Sequence, residues 1–199
     1  MILIKIKTIY ILIILIISTN CNCIFTSDQI NSFNKISNVH AVSRDNNVEI
    51  PKISAVYAVV MDNMTGRVLF EKNADSKRPM ASTTKIMTAI VALEKGNIND
   101  IVTVSKRAAS VGGSSINLVR GEKIRLEDLL YGLLMKSGND AAIAVAEHIG
   151  GSVDGFVEMM NKKAYLIGAN NTHFKNPHGL DSAGHYTTAY DLALIARYA

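Results

Sequence analysis

The sequence predicts an α/β protein of the α+β type, a helical cluster packed on an antiparallel sheet, incomplete at its C-terminus. Three observations carry that expectation. Two short apolar runs, Ala55–Met61 and Arg67–Glu71, flank the turn-forming stretch Asp62-Asn63-Met64-Thr65-Gly66, which is the pattern of a β-hairpin. Beyond Pro79 the apolar spacing becomes helical and stays so through several segments. The last segment reaches Ala199 with no Gly, Asn or Pro to close it. A hairpin alone is also too small a sheet to stand by itself. The chain has 199 residues, 48% hydrophobic and 19% charged, which excludes a disordered tail protein. Its two cysteines are too few for a disulfide scaffold.

Residues 1–23 read as an export leader. Lys5 and Lys7 precede the apolar stretch Ile9–Ile17, and Ser18, Thr19 and Asn20 follow it. That order of positive, apolar and small polar residues is a secretory signal, and the apolar stretch is short for a membrane span. An uncleaved membrane anchor is the alternative. Both cysteines, Cys21 and Cys23, fall within this segment, so the exported part carries no thiol chemistry. Without Lys5 and Lys7 the balance is 19 basic against 17 acidic side chains. A charge of +2 with no clustered Lys/Arg stripe gives no footprint for nucleic acid. Residues 24–52 are polar and aperiodic, a lead-in to a folded domain over residues 53–199.

Within that domain each element has a local reason. Gly66 suits a positive-φ position in the hairpin turn. Ile86, Ile90 and Leu93 recur on one face of a first helix that Gly96 closes. Ile101–Val104 reads as a short strand, and Ser105 caps a short helix towards Gly112-Gly113. Leu126, Leu129, Leu130, Leu133 and Leu134 mark a strongly apolar helix, and Asn139–Ile149 is the next, ending at Gly150-Gly151. Ser152 caps a helix with Val153, Phe156, Val157, Met160 and Ala164 on one face. A loop from Gly168 to about Thr187 leads to a final helix from Ala189.

Two short motifs carry chemistry. Ser82-Thr83-Thr84-Lys85 opens the first helix, and residues three apart share a helix face, so the hydroxyl and the amine can meet. A serine hydroxyl needs a base to become a nucleophile, and a neutral lysine is one. Neutrality requires the amine to titrate well below its ordinary value of about 10.4, by burial or a second cation. The plain alternative is a helix cap followed by a solvated lysine. Ser137-Gly138-Asn139 lies between two apolar helices and can present a hydroxyl and a carboxamide to a cleft, Gly138 allowing a tight turn. Its plain alternative is a helix connection with Asn139 as N-cap. Together and in this order the motifs are far more specific, being two of the three elements of penicillin-binding proteins and serine β-lactamases. His173, His178 and His185 with Asp181 fit no zinc-binding spacing, and loop hydrogen bonding by His178 is the expectation.

The chain resembles the low-molecular-mass penicillin-binding proteins, the serine-type D-alanyl-D-alanine carboxypeptidases. The stretches MDNMTGRVLFEKNAD, RPMASTTKIMTA, LLYGLLMKSGNDAAIAVAEHIGG and THFKNPHGLDSAGHYTTAYDLALIARYA carry the likeness, in family order. The resemblance implies a β-lactamase/transpeptidase-like fold and an acyl-serine mechanism on peptidoglycan stem peptides ending in D-Ala-D-Ala. Ser82 would be the nucleophile and Lys85 its base. Ser137 would pass a proton to the leaving D-alanine, and Asn139 would bind the acyl part of the substrate and help place Lys85. β-Lactams would stall at the acyl stage, and no cofactor or metal is implied. The site would face the cell envelope, on the outer surface of the cytoplasmic membrane or secreted, with membrane contact through a C-terminal anchor outside these residues. A serine β-lactamase, or a non-catalytic penicillin-sensing or wall-binding module, shares the first two motifs.

The family's third element, Lys-Thr-Gly or Lys-Ser-Gly on a late strand, does not occur in the 199 residues. That strand would bind the substrate carboxylate and give the second oxyanion donor, and losing one such donor costs about 10²–10³-fold in rate. The expectation is little or no D-alanine release by these 199 residues alone. Ready release by the purified, folded chain contradicts it.

Overall fold

The computed structural model describes residues 50–199. The leader expected at residues 1–23, and the lead-in as far as residue 49, lie outside the described residues. The chain divides into two units, Met1–Val56 and Tyr57–Ala199, and the second holds every element below.

Strands β1 (Ala58–Met61) and β2 (Val68–Lys72) form the expected antiparallel hairpin. The first strand begins three residues later than the apolar run suggests. Asp62 makes the turn: its Oδ1 accepts from the N–H and hydroxyl of Thr65 at 2.7 and 2.5 Å. Gly66 takes φ +75° there, a conformation glycine adopts without steric cost. A register shift between Val60 and Met61 bulges the ladder.

After a 3₁₀ turn at Ala81–Thr83 comes α1 (Thr84–Lys95). Its buried face is Met87, Ile90, Val91 and Ala92 together with polar Thr84, Lys85 and Thr88. Leu93, expected on the apolar face, is 61% exposed: the face turns towards the residues that build the site. Gly96 does follow the helix, but in extended conformation with φ −97°. Its value is space, because a Cβ there would lie 2.8 Å from Leu126 and 2.9 Å from Ile149.

Strand β3 (Ile101–Thr103) pairs with β4 (Lys123–Arg125) in a second antiparallel sheet. Three residues are too few for period-two patterning to announce β4. Between them lies α2 (Lys106–Ala109), whose cap Ser105 accepts from the N–H of Ala108 at 3.0 Å. Helices α3 (Leu126–Met135), α4 (Asn139–Gly150), α5 (Val153–Ile167) and α6 (Ala189–Tyr198) complete the unit. Among the described residues the strands therefore form two two-stranded sheets.

Helix α4 is the centre of the core. Residues Asn139–Ala146 are all buried, as expected of a helix apolar on every side, and α1, α2, α3 and α5 pack around it. Four of those eight residues are alanine, so neighbouring backbones approach closely. Leu129, Leu133, Val145, Phe156 and Met160 fill the space between. The start of α4 is thereby fixed beside the start of α1.

Candidate active site

The site forms where three backbones converge: the turn into α1, the α3–α4 connection, and the loop 168–188. Ser82 lies in the 3₁₀ turn and is exposed. Neither Met80 nor Thr83, the cap positions of the two helical segments, makes a side-chain cap bond. The buried lysine, 3% exposed, departs from the plain reading of a cap followed by a solvated amine. The residue before Ser82, Ala81, sits at φ +46°, which is rare for a side chain with a Cβ.

Ser137 is also left-handed, at φ +56°. The tight turn expected of Gly138 is therefore made by Ser137, while Gly138 has φ −60°. Glycine there is required for room, since a Cβ would meet Asp140 Oδ1 at 2.9 Å and Ile116 at 3.2 Å. The turn aims Ser137 Oγ at Ser82 Oγ, to which it donates at 3.0 Å. Asn139 is the first residue of α4, and Gly138 is the N-cap.

The carboxamide of Asn139 is used on both sides. Its Nδ2 donates to Gly112 O at 2.7 Å, and its Oδ1 accepts from Lys85 Nζ at 2.8 Å. Lys85 Nζ also reaches His178 O at 2.7 Å and Ser82 Oγ at 3.4 Å. All four residues singled out from the sequence, Ser82, Lys85, Ser137 and Asn139, are thus joined in one hydrogen-bonded chain.

Lys85 makes no salt bridge within 4 Å among the described residues. Burial pulls its amine down from 10.5 to about 8, because removing water penalises the charged form. At pH 7 about a tenth of the molecules then carry a neutral amine. A neutral amine has two N–H donors and one lone pair. Asn139 Oδ1 and His178 O can only accept, so they take both N–H groups, and the lone pair is left to face Ser82 Oγ.

Two supports lie behind these side chains. Asp140, 2% exposed, accepts from Ser115 Oγ at 2.6 Å and from the N–H groups of Ile116, Leu118 and Ala141. Burial alone would raise its pKa, but these donors, Ser115 foremost, hold it below the usual carboxylate value. The carboxylate pins the loop 112–118 to the start of α4 and so fixes Gly112 O against Asn139. On the other side, Pro177 O accepts from Thr88 Oγ1 at 2.6 Å, one helical turn beyond Lys85. Gly179, at φ +94°, packs so tightly that a Cβ would lie 1.8 Å from Ala81 O. His178 Nδ1 accepts from Leu180 N at 3.1 Å, the expected loop hydrogen bonding. The sequence did not reveal that its carbonyl binds Lys85, because a backbone oxygen leaves no mark on residue type. Asp140, by contrast, was readable as an acidic residue in the first turn of a helix.

The mixed fold that brings these residues together is the fold of the penicillin-binding DD-peptidases. Solved members superpose on it. The D-alanyl-D-alanine carboxypeptidase DacD of Francisella tularensis aligns with TM-score 0.73 and 42% identity, over 83% of this chain and 40% of that one. Penicillin binding protein 5 of Haemophilus influenzae aligns with TM-score 0.73 and 38% identity, over 76% and 46%. The chain belongs to the D-alanyl-D-alanine carboxypeptidase family, whose model matches residues 44–199. It is 48% identical to the D-alanyl-D-alanine carboxypeptidase DacF of Bacillus subtilis over 145 residues, which are 70% of this chain and 37% of that protein. With DacC of Escherichia coli it shares 39% over 168 residues, 42% of that protein's length. The chain spans less than half the length of these two relatives.

Two histidines, buried His185 and half-buried His178, make the stability of the unit sensitive to mild acid. Burial, reinforced by the charge of Lys85, pulls His178 from 6.5 to about 4, and burial likewise lowers His185 from 6.5. The unfolded chain binds protons near 6.5 that the folded rings refuse, so folded stability is lost as pH falls below that value. Denaturant unfolding followed between pH 7 and pH 4.5 should show a falling midpoint. The carboxylates held low in the fold titrate mainly below this window. A flat midpoint across it contradicts neutral, buried rings.

Proposed function

We propose that the protein is a serine-type D-alanyl-D-alanine carboxypeptidase that removes the terminal D-alanine from peptidoglycan stem peptides through an acyl-serine intermediate. The observation that carries this reading is Lys85: buried, held by neutral acceptors, and 3.4 Å from the exposed hydroxyl of Ser82. Family membership supports the substrate class.

In this mechanism Ser82 Oγ attacks the carbonyl carbon between the two D-alanines while its proton passes to the lone pair of Lys85. The carbonyl oxygen becomes an oxyanion facing the N–H of Ser82, in the opening 3₁₀ turn Ala81–Thr83 that leads into α1. As the C–N bond breaks, the leaving amine takes a proton. Ser137, hydrogen-bonded to Ser82 Oγ at 3.0 Å, lies on the path from Lys85 to that nitrogen. Asn139 keeps Lys85 in place and offers its amide to the acyl part of the peptide. Water then attacks the ester, giving up its proton to Lys85, which passes a proton back to Ser82 Oγ as the shortened peptide leaves. Substrate, water and these four side chains carry every proton and electron pair. A β-lactam enters the same first step, but its amine remains tethered and the acyl-serine persists.

The reading places residues 1–23 as an export leader, 24–52 as a lead-in and the catalytic domain from residue 53, with the site facing the cell envelope. No helix among the described residues is long and apolar enough to cross a membrane. Envelope localisation in this reading therefore rests on the leader and on the substrate.

In the intact protein, Ser82→Ala should abolish both D-alanine release and covalent labelling by penicillin. Lys85→Arg places a group that does not deprotonate where the base is needed, and should slow acylation by about 10²–10⁴-fold. D-alanine release that persists unchanged in Ser82→Ala overturns the acyl-serine reading.

A further inference from the structure

The loop that holds Lys85 is fastened to α1 by an imidazole that works in only one protonation state. His185 is 5% exposed, and both its ring nitrogens are engaged. Its Nδ1 lies 3.0 Å from the backbone nitrogen of Lys175, and its Nε2 lies 2.9 Å from Thr84 Oγ1. A backbone N–H can only donate, so Nδ1 must present its lone pair. The ring proton is then on Nε2, donated to Thr84 Oγ1. Thr84 is itself fully buried and is the residue immediately before Lys85.

The loop fastened in this way delivers His178 O to Lys85 and Pro177 O to Thr88. Its far end is tied back by the bridges His173–Tyr186 and Arg78–Thr187. Between those ends, the His185 ring adds a second side-chain link from the loop to the first turn of α1, beside the bond of Lys85 to His178 O. A second proton on Nδ1 would set an N–H against the N–H of Lys175 and break that bond. The titratable groups facing the ring are Asp181, whose charge favours the imidazolium, His173, whose charge opposes it, and His178, which a charge on His185 would push still lower. On α1 the ionisable residue next in sequence to the ring's partner Thr84 is Lys85, and on the loop it is Lys175, whose backbone N–H donates to the ring. Phe174 stacks edge-on against the ring with centroids 6.0 Å apart and excludes water from it. Burial outweighs Asp181 and keeps the ring neutral near pH 7.

We propose that His185 is a positioning residue: its neutral Nε2–H form latches the loop 173–187 onto the helix turn of Lys85, and protonation at Nδ1 releases it. Acylation of Ser82 therefore requires two deprotonated groups, Lys85 and His185. The inference rests on the acyl-serine reading and extends it from the reacting groups to the loop that holds them.

The test is the pH dependence of penicillin acylation in the intact protein, read beside an NMR titration of the His185 ring. Below the Lys85 titration the logarithm of the second-order rate should fall by one unit per pH unit. Through the His185 titration seen by NMR it should steepen to two units per pH unit. Measurement stops at pH 4.5, before His178 takes its proton. In His185→Gln, whose side-chain amide can still donate to Thr84 Oγ1 but does not titrate, the slope should stay at one throughout. A purely structural role would lower the rate without changing the slope. A wild-type slope that remains one through the His185 titration overturns the proposal without any variant. So does a steepening that survives in His185→Gln. Failure of the acyl-serine reading is seen separately, as labelling of Ser82→Ala at the wild-type rate.

Discussion

Burial of the Lys85 ammonium group without a countercharge is the constraint around which this unit is arranged. A buried cation is costly unless its donors are met, and here an amide oxygen, a backbone carbonyl and a hydroxyl meet them. These partners satisfy hydrogen bonds while doing little to hold the proton. A carboxylate in place of Asn139 would satisfy the amine equally well and would raise its affinity for the proton, leaving no base for Ser82. Choosing neutral acceptors converts desolvation into chemical readiness.

The rest of the fold makes that arrangement stiff enough to use. The amide of Asn139 is fixed at both ends, by Gly112 O and by Lys85, and its backbone N–H donates to Ser114 O at 2.7 Å. Gly113 approaches so closely that a Cβ would lie 2.5 Å from Asn139 Nδ2. Asp140 holds the same loop from the next position along α4. Opposite, Gly179 allows the loop 173–187 to press onto Ala81. Two of the left-handed non-glycine residues, Ala81 and Ser137, lie where these elements meet. Such conformations persist where surrounding packing over-determines them, and here they present the hydroxyls of Ser82 and Ser137 to each other.

Much of this was legible in the sequence, and the exceptions have physical reasons. The hairpin, β3 and the helices α1 to α6 followed from apolar periodicity and from caps such as Ser105 and Ser152. The four site residues followed from the spacing of two motifs and from the resemblance those motifs complete. Strand β4 was missed because Lys123–Arg125 is too short to alternate. The exposed Leu93 was misplaced because the periodicity of α1 is shared with Thr84, Lys85 and Thr88, polar residues buried for the site rather than for the core. Gly138 was assigned the turn that Ser137 makes, since sequence cannot separate a glycine needed for its φ from one needed for space. The carbonyls of Pro177, His178 and Gly112 were illegible in principle, because any residue type supplies one. The imidazole of His185 combines both kinds of information, a side chain visible in the sequence and a tautomer visible in the fold.

The most direct test of the account is the titration of Lys85 itself, followed by NMR of the Lys85 side chain in selectively labelled protein. A base held among neutral acceptors predicts a single transition near pH 8. A transition near the ordinary value of 10.5 would show an amine that stays charged at neutral pH, and would contradict its proposed role as the base for Ser82.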